Sequence, residues 1–218
     1  MALYITKQQL GQYIVVKSRN TENVALNTLS EHITIHVGEQ SNLNITIPTA
    51  EYHHTIHIIA TKGSNIDIRE KESWTGSINW TIDLIEPYAQ VTYVTRLSDI
   101  QVSHHTIAVN HQAAYTSSYI DSRYYVQHSH KLKQHTIITI PETIIHCNAS
   151  QSAEILLHTN RSHIDIIPEL RVSTDGSNAS HGVSIHPFSE IDIFYLMMRG
   201  LSRELAQKSI VEGFLEKY

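Results

Sequence analysis

The stretch that decides the fold reads Ile33-Thr34-Ile35-His36-Val37, then Leu43-Asn44-Ile45-Thr46-Ile47, Thr55-Ile56-His57-Ile58-Ile59 and Asn65-Ile66-Asp67-Ile68. Every run alternates a branched apolar residue with a polar or small one, the period of a strand with one buried face. The pattern continues outward through Ile78 to Ile85 and Val91-Thr92-Tyr93-Val94. The starts lie roughly ten residues apart, with turn formers between them at Gly38 to Asn42, Lys62-Gly63-Ser64-Asn65 and Pro87-Tyr88-Ala89. Three junctions, Gly38 to Ile45, Gly63 to Ile68 and Pro87 to Tyr93, share a loose form: Gly or Pro, small or polar residues, then apolar-polar-apolar. A faint repeat of short strands with no helical pattern before Pro187 allows a sandwich, a jelly roll or a β-helix. The expected fold is all-β, a right-handed parallel β-helix. In such a solenoid each coil stacks on its neighbours, Ile, Val and Leu fill a narrow continuous core, and Asn, Thr, Ser and His face outward. The same interleaving would suit a jelly roll.

The pattern changes at Pro187. Ser189 can cap a helix, Asp192 can support it, Ile193, Phe194, Met197 and Met198 fall at helical spacing, and Gly200 stops it. A second helix can start at Ser202, with Leu205, Ser209, Ile210, Gly213 and Phe214 on one apolar and small face. The expected organisation is a β-helix core over residues 1–186 and a helical hairpin over 187–218.

A chain of 218 residues, 41% hydrophobic and 17% charged, suffices for one substantial core. The opening Met1-Ala2-Leu3-Tyr4-Ile5-Thr6-Lys7 lacks the apolar centre of a signal peptide, and no apolar run is long enough to cross a bilayer. A soluble cytoplasmic protein is expected, with no membrane partner. The single cysteine, Cys147, excludes an internal disulfide and any cluster held by four cysteines of one chain. A formal net charge of −5 argues against a nucleic-acid partner, and against a DNA-reading role for the hairpin.

Histidine is unusually common: 16 residues, as many as Lys and Arg together. That raises the prospect of metal or proton chemistry without locating it. His53-His54-x-x-His57, His104-His105 and His128-x-His130 have strand spacings that can bring two imidazoles to one face, but no carboxylate or cysteine completes a metal signature. On strands such histidines are expected as half-exposed members of polar ladders. Cys147 beside His146 could form a nucleophile or ligand pair, but neighbours on a strand point to opposite faces, and Cys147 is expected as a small buried side chain. No phosphate-binding loop, paired carboxylate or Ser-His-Asp order stands out, so any ATP use would come from a partner.

From about Val109 to the C-terminus the chain resembles the SufB/SufD family of iron–sulfur cluster assembly proteins. The resemblance rests on Pro168-Glu169-Leu170-Arg171-Val172, Ser180-His181-Gly182, Phe194-Tyr195-Leu196, Arg199-Gly200-Leu201 and, later, Gly213-Phe214, in the family's order and spacing. Tyr115-Thr116-Ser117-Ser118, Ile140-Pro141 and Gln151 with Ile155-Leu156-Leu157 extend it upstream. SufB-type members carry a sulfur-accepting cysteine six residues before the strand proline; here that position is Ser162, whose hydroxyl cannot hold a persulfide. The Ser-His-Gly element is the SufD form, although the cysteine SufD proteins commonly place before it is Ala179.

The resemblance implies a SufD-like, non-catalytic scaffold. It marks His181 as a candidate ligand for iron or for an iron–sulfur cluster held transiently across a subunit interface, a role open to imidazole. It also implies docking of a SufC-type ATPase on the hairpin, through Phe194, Tyr195, Met198, Arg199, Gly200 and Leu201, and pairing with a SufB-like subunit or a second copy. The competing expectation is a β-helix or jelly-roll enzyme, carbohydrate-active or metal-binding, using histidine ligands. Against it, only 7% of residues are aromatic and no carboxylate pair stands out.

Overall fold

Strict alternation over many short segments places one side chain in two inward, and the question is what each inward face meets. In the computed structural model, which describes residues 2–4, 12–26, 31–47, 51–71, 75–98, 102–127, 131–158 and 162–216, it meets the opposite wall of a parallel β-helix. One sheet contains β1 (Ala2–Tyr4), β3 (Thr21–Ala25), β5 (Asn42–Ile47), β7 (Asn65–Glu70), β9 (Gln90–Ser98), β11 (Ser117–Val126), β13 (Asn148–Leu157) and β15 (Asn178–Pro187) in that order. The other contains β2 (Gln12–Val16), β4 (His32–Val37), β6 (Glu51–Ala60), β8 (Thr75–Leu84), β10 (Val102–His111), β12 (Lys131–Ile140) and β14 (His163–Val172). The chain alternates between the two sheets and all neighbouring strands pair in parallel. The solenoid, expected from the spacing of alternating runs, is therefore the fold.

Register turns the alternation into columns. Ile33, Ile56 and Trp80 stack along one sheet, as do Ile35, Ile58 and Ile82 beside them; all six are at most 3% exposed. Burial of a large apolar side chain contributes about 1.5–3 kcal/mol, so stacked β-branched columns hold the body together. Outward residues form polar ladders instead: Asn44 Nδ2 donates to Asn23 Oδ1 at 2.8 Å and Asn178 Nδ2 to Asn148 Oδ1 at 3.1 Å. The three repeated junctions are stacked corners. Gln40, Gly63 and Tyr88 each have positive φ there, and the Gln40 and Gly63 amides donate to the carbonyls of Lys62 and Pro87 one coil on. Glycine adopts such backbone at no steric cost; at Tyr88 and Tyr115 ring stacking at 5.4 Å accompanies it.

The hairpin follows its sequence signals. Ser189 caps α1 (Glu190–Met198) by accepting from the Asp192 amide at 3.2 Å, and Gly200, φ 96°, ends it. α2 (Arg203–Glu216) begins after Ser202 and lies across β9 and β11. Its packing corrects one expectation: Leu205 and Ser209 are exposed, and Ala206 is the buried residue. Beneath α2, the outward side chains Asp121, Arg123 and Tyr125 of β11 are buried, and Arg123 Nη1 donates to the Phe214 carbonyl at 3.4 Å. Arg96 pairs with the same Asp121 carboxylate. A cation facing the last-turn carbonyls complements the helix dipole.

Candidate functional site: the open last coil and the helical hairpin

Each coil is covered by the next, except the last. In β15 the inward positions, fixed by register with Ala149, Gln151, Ala153 and Ile155 of β13, are Ala179, His181, Val183 and Ile185. The β13 members are at most 5% exposed, whereas Val183 and Ile185 are 41% and 52% exposed and His181 is exposed. Opposite, Ile164, Ile166, Leu170 and Val172 of β14 are only half-buried. β14 and β15 also end the order of their sheets, leaving backbone donors and acceptors free to pair.

His181 thus stands mid-strand on an inward column. The ten-residue register of β13 with β15 carries the strand straight through Gly182, whose missing side chain falls on the outer face beside Ser152. Ser162 directly precedes β14 on the other wall of the same coil. Among the described residues no three His, Cys, Asp or Glu side chains converge as a metal-ligand group.

The histidine pairs divide between the two faces. His54 and His105 share parity with Ile56 and Ile107 and point inward, 8% and 2% exposed, which corrects their expected place on solvated faces. His53 and His104 are exposed. His57 is bonded outside to Asp83 at 2.7 Å. His128 and His130 lie outside the described residues. Cys147 is buried, 3.3 Å from Thr116 Oγ1, but sits in the corner before β13 rather than on a strand, and His146 stacks on Tyr115 at 5.0 Å.

What the sequence reading missed is a polar seam inside the bore. Tyr93 O–H donates to Glu70, and Tyr93 lies 3.0 Å from His105 Nε2, with Tyr124 O–H 3.4 Å from His105 Nδ1. Burial, reinforced by the Glu70 charge, pushes the Tyr93 hydroxyl well above its ordinary pKa, and burial also raises Tyr124. Burial lowers His105, opposed by Glu70. Nearer the open end Gln134 Nε2 donates to Ser122 and Thr136, each at 3.0 Å. The signal was one of phase: Gln134 and Thr136 share parity with Leu132 and Ile138, and all four are buried.

The hairpin presents a second surface. Ile193 is fully buried, holding α1 to the rest of the molecule, while Ile191, Phe194, Tyr195 and Met198 are 80%, 64%, 56% and 72% exposed. Arg199 lies over the Tyr195 ring at 5.2 Å and donates to its hydroxyl at 3.0 Å. Gly200 is exposed and Leu201 half-buried. Exposed large apolar side chains thus cluster at helical spacing on α1. No helix among the described residues is long and apolar enough to cross a membrane.

The described residues form a parallel solenoid closed by a helical pair, with the Ser-His-Gly strand at its open end, and comparison with known proteins gives the family. The SufBD core domain of the SUF system for FeS cluster assembly matches residues 14–214, so the chain belongs to the SufB/SufD family. It is similar to the iron–sulfur cluster assembly protein SufB of Bacillus subtilis, 31% identical over 108 residues. SufBD family proteins of Staphylococcus haemolyticus and Staphylococcus aureus are 32% identical over the same length. Those stretches are 50% of this chain and 23% of each relative. The likeness is to the family as a whole and does not separate its SufB and SufD branches.

Proposed function

We propose that the chain is a SufD-like scaffold subunit, cytoplasmic and without catalytic activity of its own, in an iron–sulfur cluster assembly complex. Its open last coil pairs with a SufB-like subunit or a second copy, and its hairpin docks a SufC-type ATPase. The observation that carries this reading is the last coil: an imidazole on an inward column, flanked by half-exposed Val183 and Ile185, between two strand edges on which no described strand stacks. An opposing coil would bury the apolar residues, pair the edges and enclose His181. The imidazole would then supply one ligand to iron or to a cluster, the cargo of the assembly, with the other ligands from the opposing subunit or small thiols. Ser162 leaves this chain no thiol where the SufB route would need one. The rival histidine-metal enzyme loses ground because His53 and His54, like His104 and His105, face opposite ways.

The docking half is tested by Phe194→Asp and Met198→Asp. Both side chains are exposed, so folding survives, and co-purification with a cognate SufC-type ATPase should fall at least tenfold. Undiminished capture by the double variant sinks the docking assignment. Removing the whole hairpin would be a poorer test, because α2 covers the buried Asp121 and Arg123.

A further inference from the structure

Each corner that leads from the second sheet into the first turns on one residue of positive φ: Arg19, Gln40, Gly63, Tyr88, Tyr115 and His146, between 52° and 67°. Backbone bonds stack these corners, the Gln40 amide donating to Lys62 at 2.8 Å and the Gly63 amide to Pro87 at 3.1 Å. Glycine suits such backbone, whereas a bulky side chain in it is an outlier, and outliers of this kind mark places where the side chain is needed. Here they build a ladder of rings: Tyr88 on Tyr115 at 5.4 Å and 16°, Tyr115 on His146 at 5.0 Å and 19°. Tyr88 and Tyr115 are 55% and 50% exposed.

The ladder stops at Gly63, which has no side chain to cover the other face of Tyr88. A side chain there would meet only Gln40, whose Cγ lies 3.6 Å from the Cβ position. Strands about 4.8 Å apart put the Gln40 and Tyr88 rungs about 9.6 Å apart. A planar group needs about 3.5–4 Å on each face, so one layer fits between them and two do not. Polar groups at the same corner decide which planar group. Glu86 Oε2 accepts from the Lys62 amide at 2.8 Å, which pins the carboxylate beside Gly63. Lys62 is exposed, and its ammonium makes neither an ion pair nor a ring contact among the described residues. A neutral ring would leave the Glu86 carboxylate unused, and an ammonium has no plane to stack. A guanidinium has both the plane and the donors.

We propose that Tyr88, Gly63 and Glu86 form a slot for a guanidinium, that of an arginine side chain on a partner protein. Its plane lies on the open face of Tyr88, continuing the ladder by one rung, and its N–H groups donate to the Glu86 carboxylate. Cation–π stacking joined to a charge-assisted bond favours arginine over lysine here. The source is a protein side chain because the slot is an open corner that grips only the flat head group, the part an arginine presents from any chain. The slot lies on neither the hairpin nor the last coil, so it stands whether or not the assignments made there hold.

The test adds the blocked tripeptide acetyl-Gly-Arg-Gly-amide to the full chain and follows the ring resonances of Tyr88. They should titrate, and the lysine counterpart should bind about threefold more weakly or worse. Tyr88→Leu and Glu86→Gln change exposed and half-buried side chains and should each weaken binding by about threefold or more. Gly63→Asn keeps the corner, since asparagine tolerates positive φ, and fills the slot, so it should abolish binding. Equal binding of the arginine and lysine peptides, or undiminished binding by the folded Gly63→Asn chain, overturns the proposal. Free L-arginine binding tighter than the blocked peptide would mean that its α-amino and carboxylate groups are recognised, and would overturn the protein source.

Discussion

Ile58, in the middle of the solenoid, and Ile185, in its last coil, are the same residue on the same kind of inward column, yet one is 0% and the other 52% exposed. Nothing local separates them; the difference is whether a further coil stacks on top. In a solenoid each coil's burial is supplied by its neighbour, so the body is self-sufficient and the last coil is not. The body spends its apolar residues on its own stability, whereas those of the last coil stay half-exposed and open to the opposing surface proposed above.

The sharpest way to break that comparison is to cut the same kind of side chain from both regions. Ile58 is fully buried; Ile58→Ala should lower unfolding stability by about 2–5 kcal/mol. Ile185→Ala in the isolated chain should cost under about 1 kcal/mol, because half of its surface is already wet. Urea unfolding of the two variants reads the contrast directly. Comparable losses would mean the last coil is covered within one chain. If the comparison holds, the loss missing at Ile185 should reappear as weaker pairing once a partner subunit is added.

Acid probes the body a second way. His111 is fully buried between Thr116 Oγ1 at 2.7 Å and Ser118 Oγ at 2.9 Å, and burial lowers it to about 4. A histidine depressed in the fold takes up its proton more readily when unfolded, so its contribution is whole above about pH 6.5, shrinks on acidification and levels off near pH 4. The loss over that window is on the order of 3 kcal/mol, in urea midpoints at constant ionic strength. His105, also lowered by burial, adds in the same direction. His111→Asn should flatten the pH profile even where it reduces stability outright; an unaltered slope would assign the acid sensitivity elsewhere.

Strands and caps were legible because they depend on near neighbours: period-2 runs gave β4 to β9, and Ser189 with Gly200 bracketed α1. Phase was legible too, and was misjudged. In His53-His54 one ring must face in, and the parity of His54 with Ile56 and Ile58 says which. His181 was harder. A histidine followed by glycine favours a turn locally, and only the pairing of β13 with β15 over ten residues overrides that preference. The face of α2 depended on the surface it covers, buried Asp121, Arg123 and Tyr125 on β11, which no helical periodicity encodes.

The smallest expected effect on stability lies at the open end, and there it should coincide with the largest effect on function. His181 is exposed on the last coil, so His181→Ala should alter stability by no more than about 0.5 kcal/mol in the isolated chain and leave Tm almost unmoved. Capture of the SufC-type ATPase should also persist, because α1, not β15, carries the exposed Phe194 and Met198. Iron or cluster retention by the assembled complex, and complementation of a strain lacking SUF function, should nonetheless weaken or fail. The controls must be chosen by phase. His54 and His105 are buried in the bore, so alanine there would disturb packing, and at His105 also the contacts to Tyr93 and Tyr124, whatever the metal does. His53 and His104, exposed on the outer face, remove an imidazole without opening the core. Should His53→Ala and His104→Ala strip iron from the complex while His181→Ala retains it, the outer histidine face would hold the metal, and the open coil would serve pairing alone.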